Sequence, residues 1–195
     1  NAYWGYFRQN QWRFAQRTAT STTPGADFTT WDLRRLFAEV DGHFQAALQN
    51  DAVLKATPIS DFDALLEKGT VPDQLRPTLY DFLAREALEF YQAGEQGLSR
   101  PEDAFVVPVE SPILSSLDEF LAWQPAATAS DTHSPTLAAI RLYQALLRHH
   151  RTNPDPSPRL AADIERLTFA HRAASGPGKD ERYISALLRL ADLSP

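Results

Sequence analysis

Ser134-Pro135-Thr136-Leu137-Ala138-Ala139-Ile140-Arg141-Leu142-Tyr143-Gln144-Ala145-Leu146-Leu147-Arg148 reads as a helix from its first residues. A proline at the first helical position gives up an N–H that would lack an intrahelical partner anyway, and its fixed φ already suits the helix. Leu137, Ile140, Tyr143 or Gln144, and Leu147 then recur at helical spacing and form one apolar face. The same device opens two further runs: Arg76-Pro77 precedes residues 78–91 and Ser157-Pro158 precedes residues 159–174. The first of these carries the stripe Leu79, Phe82, Leu83, Ala87 and Phe90, the second Leu160, Ile164, Leu167 and His171. Asp180 is placed to cap a last helix with Ile184, Leu187, Leu188 and Ala191 facing inward.

Working back toward the N-terminus, residues 31–50 repeat the pattern, with Thr30 as N-cap and Leu33, Leu36, Phe37, Val40, Phe44, Ala47 and Leu48 as the buried stripe. Residues 3–17 are aromatic and helix-like, with Tyr3, Phe7 and Phe14 on one face and Trp4 and Trp12 nearby. The Thr-rich stretch 18–27 with Pro24-Gly25 predicts a loop. Ser60 and Asp63 approximate a capping box for a short helix reaching Lys68, where Gly69 suits the stop. Ser116 and Glu119 do the same for a brief helix through Trp123. Between these, Phe105-Val106-Val107-Pro108-Val109 predicts an extended segment or a short edge strand, since Pro108 excludes a central one.

The predicted fold is therefore all-α: antiparallel helix pairs stacked as an irregular, tetratricopeptide-like α-solenoid, with one irregular or short extended segment near residues 100–115. No fixed repeat period runs through it. Residues 1–195 form a single helical domain, weakly subdivided near residues 124–134, and the apolar stripes are expected to satisfy one another and leave no sheltered pocket. At 195 residues, such a domain buries about 70% of the surface its unfolded chain exposes and needs no disulfide or metal staple.

Composition narrows the function classes. A net charge of −6 argues against a nucleic-acid partner, which would call for a basic face. Cysteine is absent, removing thiol chemistry and thiolate zinc sites. No apolar run approaches the roughly 18 residues of a membrane span. Arginine outnumbers lysine sixteen to three, which favours forked pairing with carboxylates between helices. Asn1-Ala2 read as the remnant of a cleaved tag, and the chain is expected to be a fragment of a longer protein.

No catalytic constellation emerges. None of the histidines His43, His133, His149, His150 and His171 has a partner at i+3 or i+4, so no metal site and no cofactor is predicted. His149 and His150, with Arg148 and Arg151, sit where positive charge complements a helix C-terminus, and His171 is expected to be a hydrogen-bonded core residue. The close carboxylate sets Asp61/Asp63, Glu86/Glu89, Glu102/Asp103 and Asp118/Glu119 read as solvated faces and helix starts. Trp4, Trp12, Trp31 and Trp123 are the candidate interaction surface, because exposed aromatics stack on sugar faces, although helical spacing of rings favours packing.

Tyr3-Trp4-Gly5-Tyr6-Phe7-Arg8-Gln9-Asn10-Gln11-Trp12-Arg13-Phe14, Thr30-Trp31-Asp32-Leu33-Arg34 and Leu75-Arg76-Pro77-Thr78-Leu79-Tyr80-Asp81-Phe82-Leu83-Ala84 together form an ordered set of strings. With Leu142-Tyr143-Gln144-Ala145-Leu146-Leu147-Arg148 and Asp180-Glu181, the set resembles the helical region of large bacterial alpha-2-macroglobulin-like proteins, the large extracellular α-helical proteins. The resemblance implies a helical portion ahead of β-sandwich macroglobulin domains in an envelope or secreted protein. That family traps proteases when a bait segment is cleaved, and many members add a Cys-containing thioester. Without cysteine this chain holds no such group, no bait segment is located, and no site residue is carried over. The expected role is a non-catalytic scaffold or interaction domain of the cell envelope. Its partners would be other domains of the same chain and, through the parent protein, a target protease. The rival readings are a glycan-binding helical envelope protein and, behind it, an α-helical lyase or glycosidase using opposed carboxylates or a carboxylate with His43 or His171.

Overall fold

The computed structural model describes residues 2–14, 27–93, 105–128, 131 and 134–192. Helix takes 70% of these residues, and the chain is all-α. Eight α-helices are described: α1 (Ala2–Phe14), α2 (Leu33–Leu48), α3 (Asp51–Ala56), α4 (Leu79–Gln92), α5 (Leu117–Ala122), α6 (Pro135–His150), α7 (Ser157–Ala173) and α8 (Lys179–Ala191). None is long and apolar enough to cross a membrane. The expected loop at 18–27 lies almost wholly outside the described residues, as does part of the 100–115 segment.

Local sequence explains most of the helix ends. Ser134 accepts the Leu137 N–H at 3.0 Å and Pro135 follows it, as the proline rule requires. Ser116 and Glu119 close a reciprocal capping box on α5, whose last carbonyls are taken up by side chains of α6. Gln144 Nε2 donates to the carbonyls of Phe120 and Trp123, both at 2.8 Å, and Arg148 Nη2 to that of Leu121 at 2.7 Å. These bonds satisfy carbonyls that a helix end leaves without partners.

Other starts differ from expectation. Thr30 ends a 3-10 turn (Phe28–Thr30), and Asp32 caps α2 by accepting the Arg35 N–H. Pro77 stands outside its helix; Thr78 is the N-cap, and Asp81 completes the box that the proline pattern obscured. Residues 59–62 form a single 3-10 turn rather than a helix reaching Lys68. Gly178, with φ of 72°, and not Asp180 begins α8.

Two apolar clusters make the core. One is aromatic: Trp4, Phe7 and Phe14 of α1 pack with Trp31 and with Phe37 and Phe44 of α2. The other gathers α5, α6, α7 and α8 around Ile113, Phe120, Ile140, Leu146 and Leu147. Helix α4 serves both, giving Ala87 and Phe90 to the first and Tyr80, Ala84 and Leu88 to the second. It packs against α2, α3 and α6, and α7 lies between α6 and α8 in the order of contacts.

The extended segment forms as expected and is very short. Val107–Pro108 (β1) runs parallel to Ala174–Ser175 (β2), pairing Val107 with Ala174 and Pro108 with Ser175. Arg166, fully buried, ties the following turn to α7: its Nε donates to Asp163 at 2.7 Å and its Nη1 to the Ile113 carbonyl at 2.9 Å.

The stripes of the last two helices are rotated from their predicted faces. On α7, Ile164 is exposed while Ala162, Asp163, Arg166, Leu167, Phe169 and Ala170 are inside. On α8 only Ala186 and Leu190 are buried, leaving Ile184 56% and Leu188 62% exposed. On α7 the buried Asp163–Arg166 pair takes part of the inner face.

Two glycines separate backbone strain from helix propensity. Gly176 has φ of 132°, and a Cβ there would meet Val109 Cγ1 at 2.7 Å, whereas Gly42 lies exposed inside α2 with open space around it. Gly176→Ala is therefore expected to cost about 1–3 kcal/mol, and Gly42→Ala to gain about 0.5–1 kcal/mol. Urea midpoints moving in opposite directions would bear this out; a neutral Gly176→Ala would contradict the described loop.

Candidate functional site

The capping box at the start of α4 creates the most unusual site in the molecule. Asp81, at the third helical position, turns its carboxylate back to Thr78, accepting the Thr78 N–H at 3.1 Å and the Thr78 hydroxyl at 2.7 Å on Oδ2. The other oxygen faces inward. Oδ1 accepts Arg85 Nη1 at 3.0 Å from one turn along α4 and sits 2.7 Å from His150 Nε2 at the end of α6. Asp81 has no exposed surface and His150 has 1%. Burial pushes the Asp81 carboxyl up, but hydrogen bonds from His150 and Thr78 and the nearby charges of His150 and Arg85 hold it, on balance, below its ordinary value.

Arg85 carries this cluster outward. Its Nε donates to both oxygens of Glu165 on α7, at 3.1 and 3.0 Å, and Arg76 reaches the same carboxylate at 3.4 Å. Beyond Glu165 an open polar groove of about 650 Å³ runs between α1, α4 and α7. Arg8, Arg172, Glu86, Glu89 and Gln92 line it, with the inner edge of Trp4 and the Tyr143 hydroxyl. Arg8 pairs with Glu89 at 2.8 Å; Arg172 donates to Gln92 Oε1 at 2.6 Å, and Gln92 Nε2 donates to the Tyr143 hydroxyl at 3.2 Å. Burial pushes the Tyr143 phenol up to about 12, so it keeps its proton at neutral pH.

Open rather than sheltered, the groove forms where α4 and α7 meet through arginine–carboxylate pairs. The groove nevertheless lacks a reactive arrangement in its described residues. Glu165 is gripped by two arginines and Glu89 by one. The Asp81–His150 pair is shut off from solvent, and the neighbouring Thr78 hydroxyl spends its proton on Asp81.

His43 and His171 do not reach the groove. His43 is exposed and stacks on Tyr3 at 5.4 Å. His171, half-buried rather than in the core, stacks on Tyr183 at 4.4 Å and meets Asp180 at 2.7 Å. His149 and His150 stand in the last turn of α6 as expected, with ring centroids 4.4 Å apart and His150 buried.

Nor do the four tryptophans form one surface. Trp4 and Trp31 are core side chains, the first stacked on Phe7 and edge-on to Phe90, the second beneath the Arg35 guanidinium at 4.6 Å. Trp123 is half-buried against Phe120. Trp12 is 71% exposed. A kink at Asn10, with φ of −128°, precedes it in α1.

Asp81, Arg85 and Glu165 were not foreseen. The Thr78-x-x-Asp81 spacing and the Asp81/Arg85 interval of one turn are legible signals, whereas the partners His150 and Glu165 lie 69 and 80 residues from their contacts. Compared with family profiles, curated proteins and solved structures, the chain matches none.

Replacing Asp81 leaves His150 without its carboxylate, while Glu165 keeps Arg85 paired. Asp81→Asn is therefore expected to cost about 3 kcal/mol at pH 7. Since the folded carboxyl lies below its ordinary 3.8, its contribution is complete above that pH and is lost as pH falls through the depressed folded value. Urea unfolding of both proteins across this range should show the gap closing on the acid side; a constant gap would mean the ionised carboxylate is not what stabilises the fold.

Proposed function

We propose that the chain is a non-catalytic helical scaffold that docks a neighbouring domain of a longer protein. The observation that carries the reading is the outer face of α8. Ile184 and Leu188 stand one turn apart on that face, and both are more than half exposed. In stacked helical arrays each unit buries its apolar face only against the next one, so an uncovered helical face of this kind suits a further packing layer. The arrangement of α6, α7 and α8 as successive packed neighbours supports the finer reading of an irregular, solenoid-like stack.

The ordered family-like strings of the sequence extend the proposal to a parent protein of the protease-trapping, alpha-2-macroglobulin-like kind at the cell envelope. In that setting the domain spaces or orients the trap and takes no part in bond making. The engaged carboxylates of the α4–α7 groove support a binding rather than a hydrolytic role.

Hydrogen exchange over residues 179–191 tests the docking face directly, in this chain and in the protein expressed from its complete open reading frame. The Ile184→Glu/Leu188→Glu double variant should stay within about 0.5 kcal/mol of the parent stability in the isolated chain. In the longer protein it should abolish an added protection of α8. Equal exchange of α8 in the two wild-type forms would dismiss the docking role.

A further inference from the structure

We infer that Asp81, His149 and His150 form a structural site for a divalent transition-metal ion of the zinc class, clamping the first turn of α4 to the last turn of α6. One ring nitrogen from each histidine and a carboxylate oxygen of Asp81 lie within 4.8 Å of one another. Two imidazoles and a carboxylate are a donor set suited to zinc and its neighbours in the first transition row. Helical neighbours ordinarily diverge, yet at the end of α6 these two rings approach to 4.4 Å between centroids.

A second observation points to a ligand. His150 Nδ1 and His149 Nε2 are buried nitrogens without a hydrogen-bond partner. Leaving such atoms unpaired is costly, and native proteins rarely do so without a water or an ion. Asp81 Oδ1 faces His150 Nε2 at 2.7 Å, so an ion held between these two atoms would replace the hydrogen bond they share. The ordinary alternative, a purely hydrogen-bonded Asp81–His150 pair, leaves the buried His149 Nε2 without a partner.

The surroundings set the character of the site. Arg85 Nη1 already occupies one side of Asp81 Oδ1, and Lys55 on α3, near His149, adds positive charge. Asp51 pairs with Lys55 and offsets it. The arginine competes with an ion for the carboxylate, so binding is weaker than at a dedicated all-carboxylate or thiolate centre. Access runs through half-buried His149, since Asp81 and His150 are closed to solvent. That closure fits a stapling ion rather than a catalytic one.

Cobalt(II) titrated into tag-free, chelator-treated protein provides the test, read by visible d–d absorption and reversed with zinc. Saturable binding of one ion per chain is expected, together with a rise in melting temperature when zinc is present. His149→Ala removes a half-buried ligand from a helix end and should fold, as circular dichroism will check; it should weaken binding by about tenfold or more. His43→Ala and His171→Ala should leave affinity unchanged. Absence of saturable absorption, or wild-type affinity in His149→Ala, overturns the site.

Discussion

A single buried carboxylate organises the molecule. Asp81 cannot be desolvated as an anion without compensation, because an unpaired charge in the interior costs several kcal/mol. Four contacts supply that compensation, two to each oxygen, and they come from three different places: the Thr78 cap, Arg85 one turn along, and His150 at the end of α6. Satisfying the charge therefore fixes where α4 starts and how it meets α6. Through Arg85 and Glu165 it also fixes the approach of α7. The two apolar clusters share α4, so their relative placement rests on the same anchor.

Much of the fold was legible because short-range signals decide it. Ser134-Pro135, the Ser116/Glu119 box and the inward row Leu137, Ile140, Tyr143 and Leu147 act within a turn or two of helix, and each stands where local chemistry puts it. The extended run at Val107–Pro108 also follows from a local cue, the proline that bars a central strand, whereas its pairing with Ala174–Ser175 was not legible. Beyond the helix starts at α2, residues 59–68 and α8, what failed were facing directions. Ile164, Ile184 and Leu188 look like core by periodicity, yet buried Asp163 and Arg166 claim the inner side of α7, because the turn at 112–115 needs a donor for its carbonyls. Apolar spacing cannot reveal a requirement that arises from a backbone segment some fifty residues away.

The site was less visible for the same reason. Thr78 and Asp81 carry a readable cap, but the proline rule drew attention to Pro77 and hid it. His150 gains its role only when α6 is laid beside α4, and the adjacency of His149 and His150 in sequence argued against chelation until their rings converged at the helix end. Charge was the one property pointing the right way. An arginine-rich, lysine-poor chain is suited to pairing with carboxylates between helices, and Arg85 of α4 pairs in that way with both oxygens of Glu165 on α7. The result is a helical body in which a few buried polar contacts join elements around an apolar core, with an arginine–glutamate groove on one side and exposed Ile184 and Leu188 on α8.

Native-state hydrogen exchange along α4 is the most direct measurement of this dependence. If α4 is the shared anchor, amides of residues 79–92 exchange only through global unfolding and rank with those of α6 as the slowest in the protein, while α1 and α8 open earlier. Exchange of α4 through a low-energy local opening, with α6 still fully protected, would contradict the account.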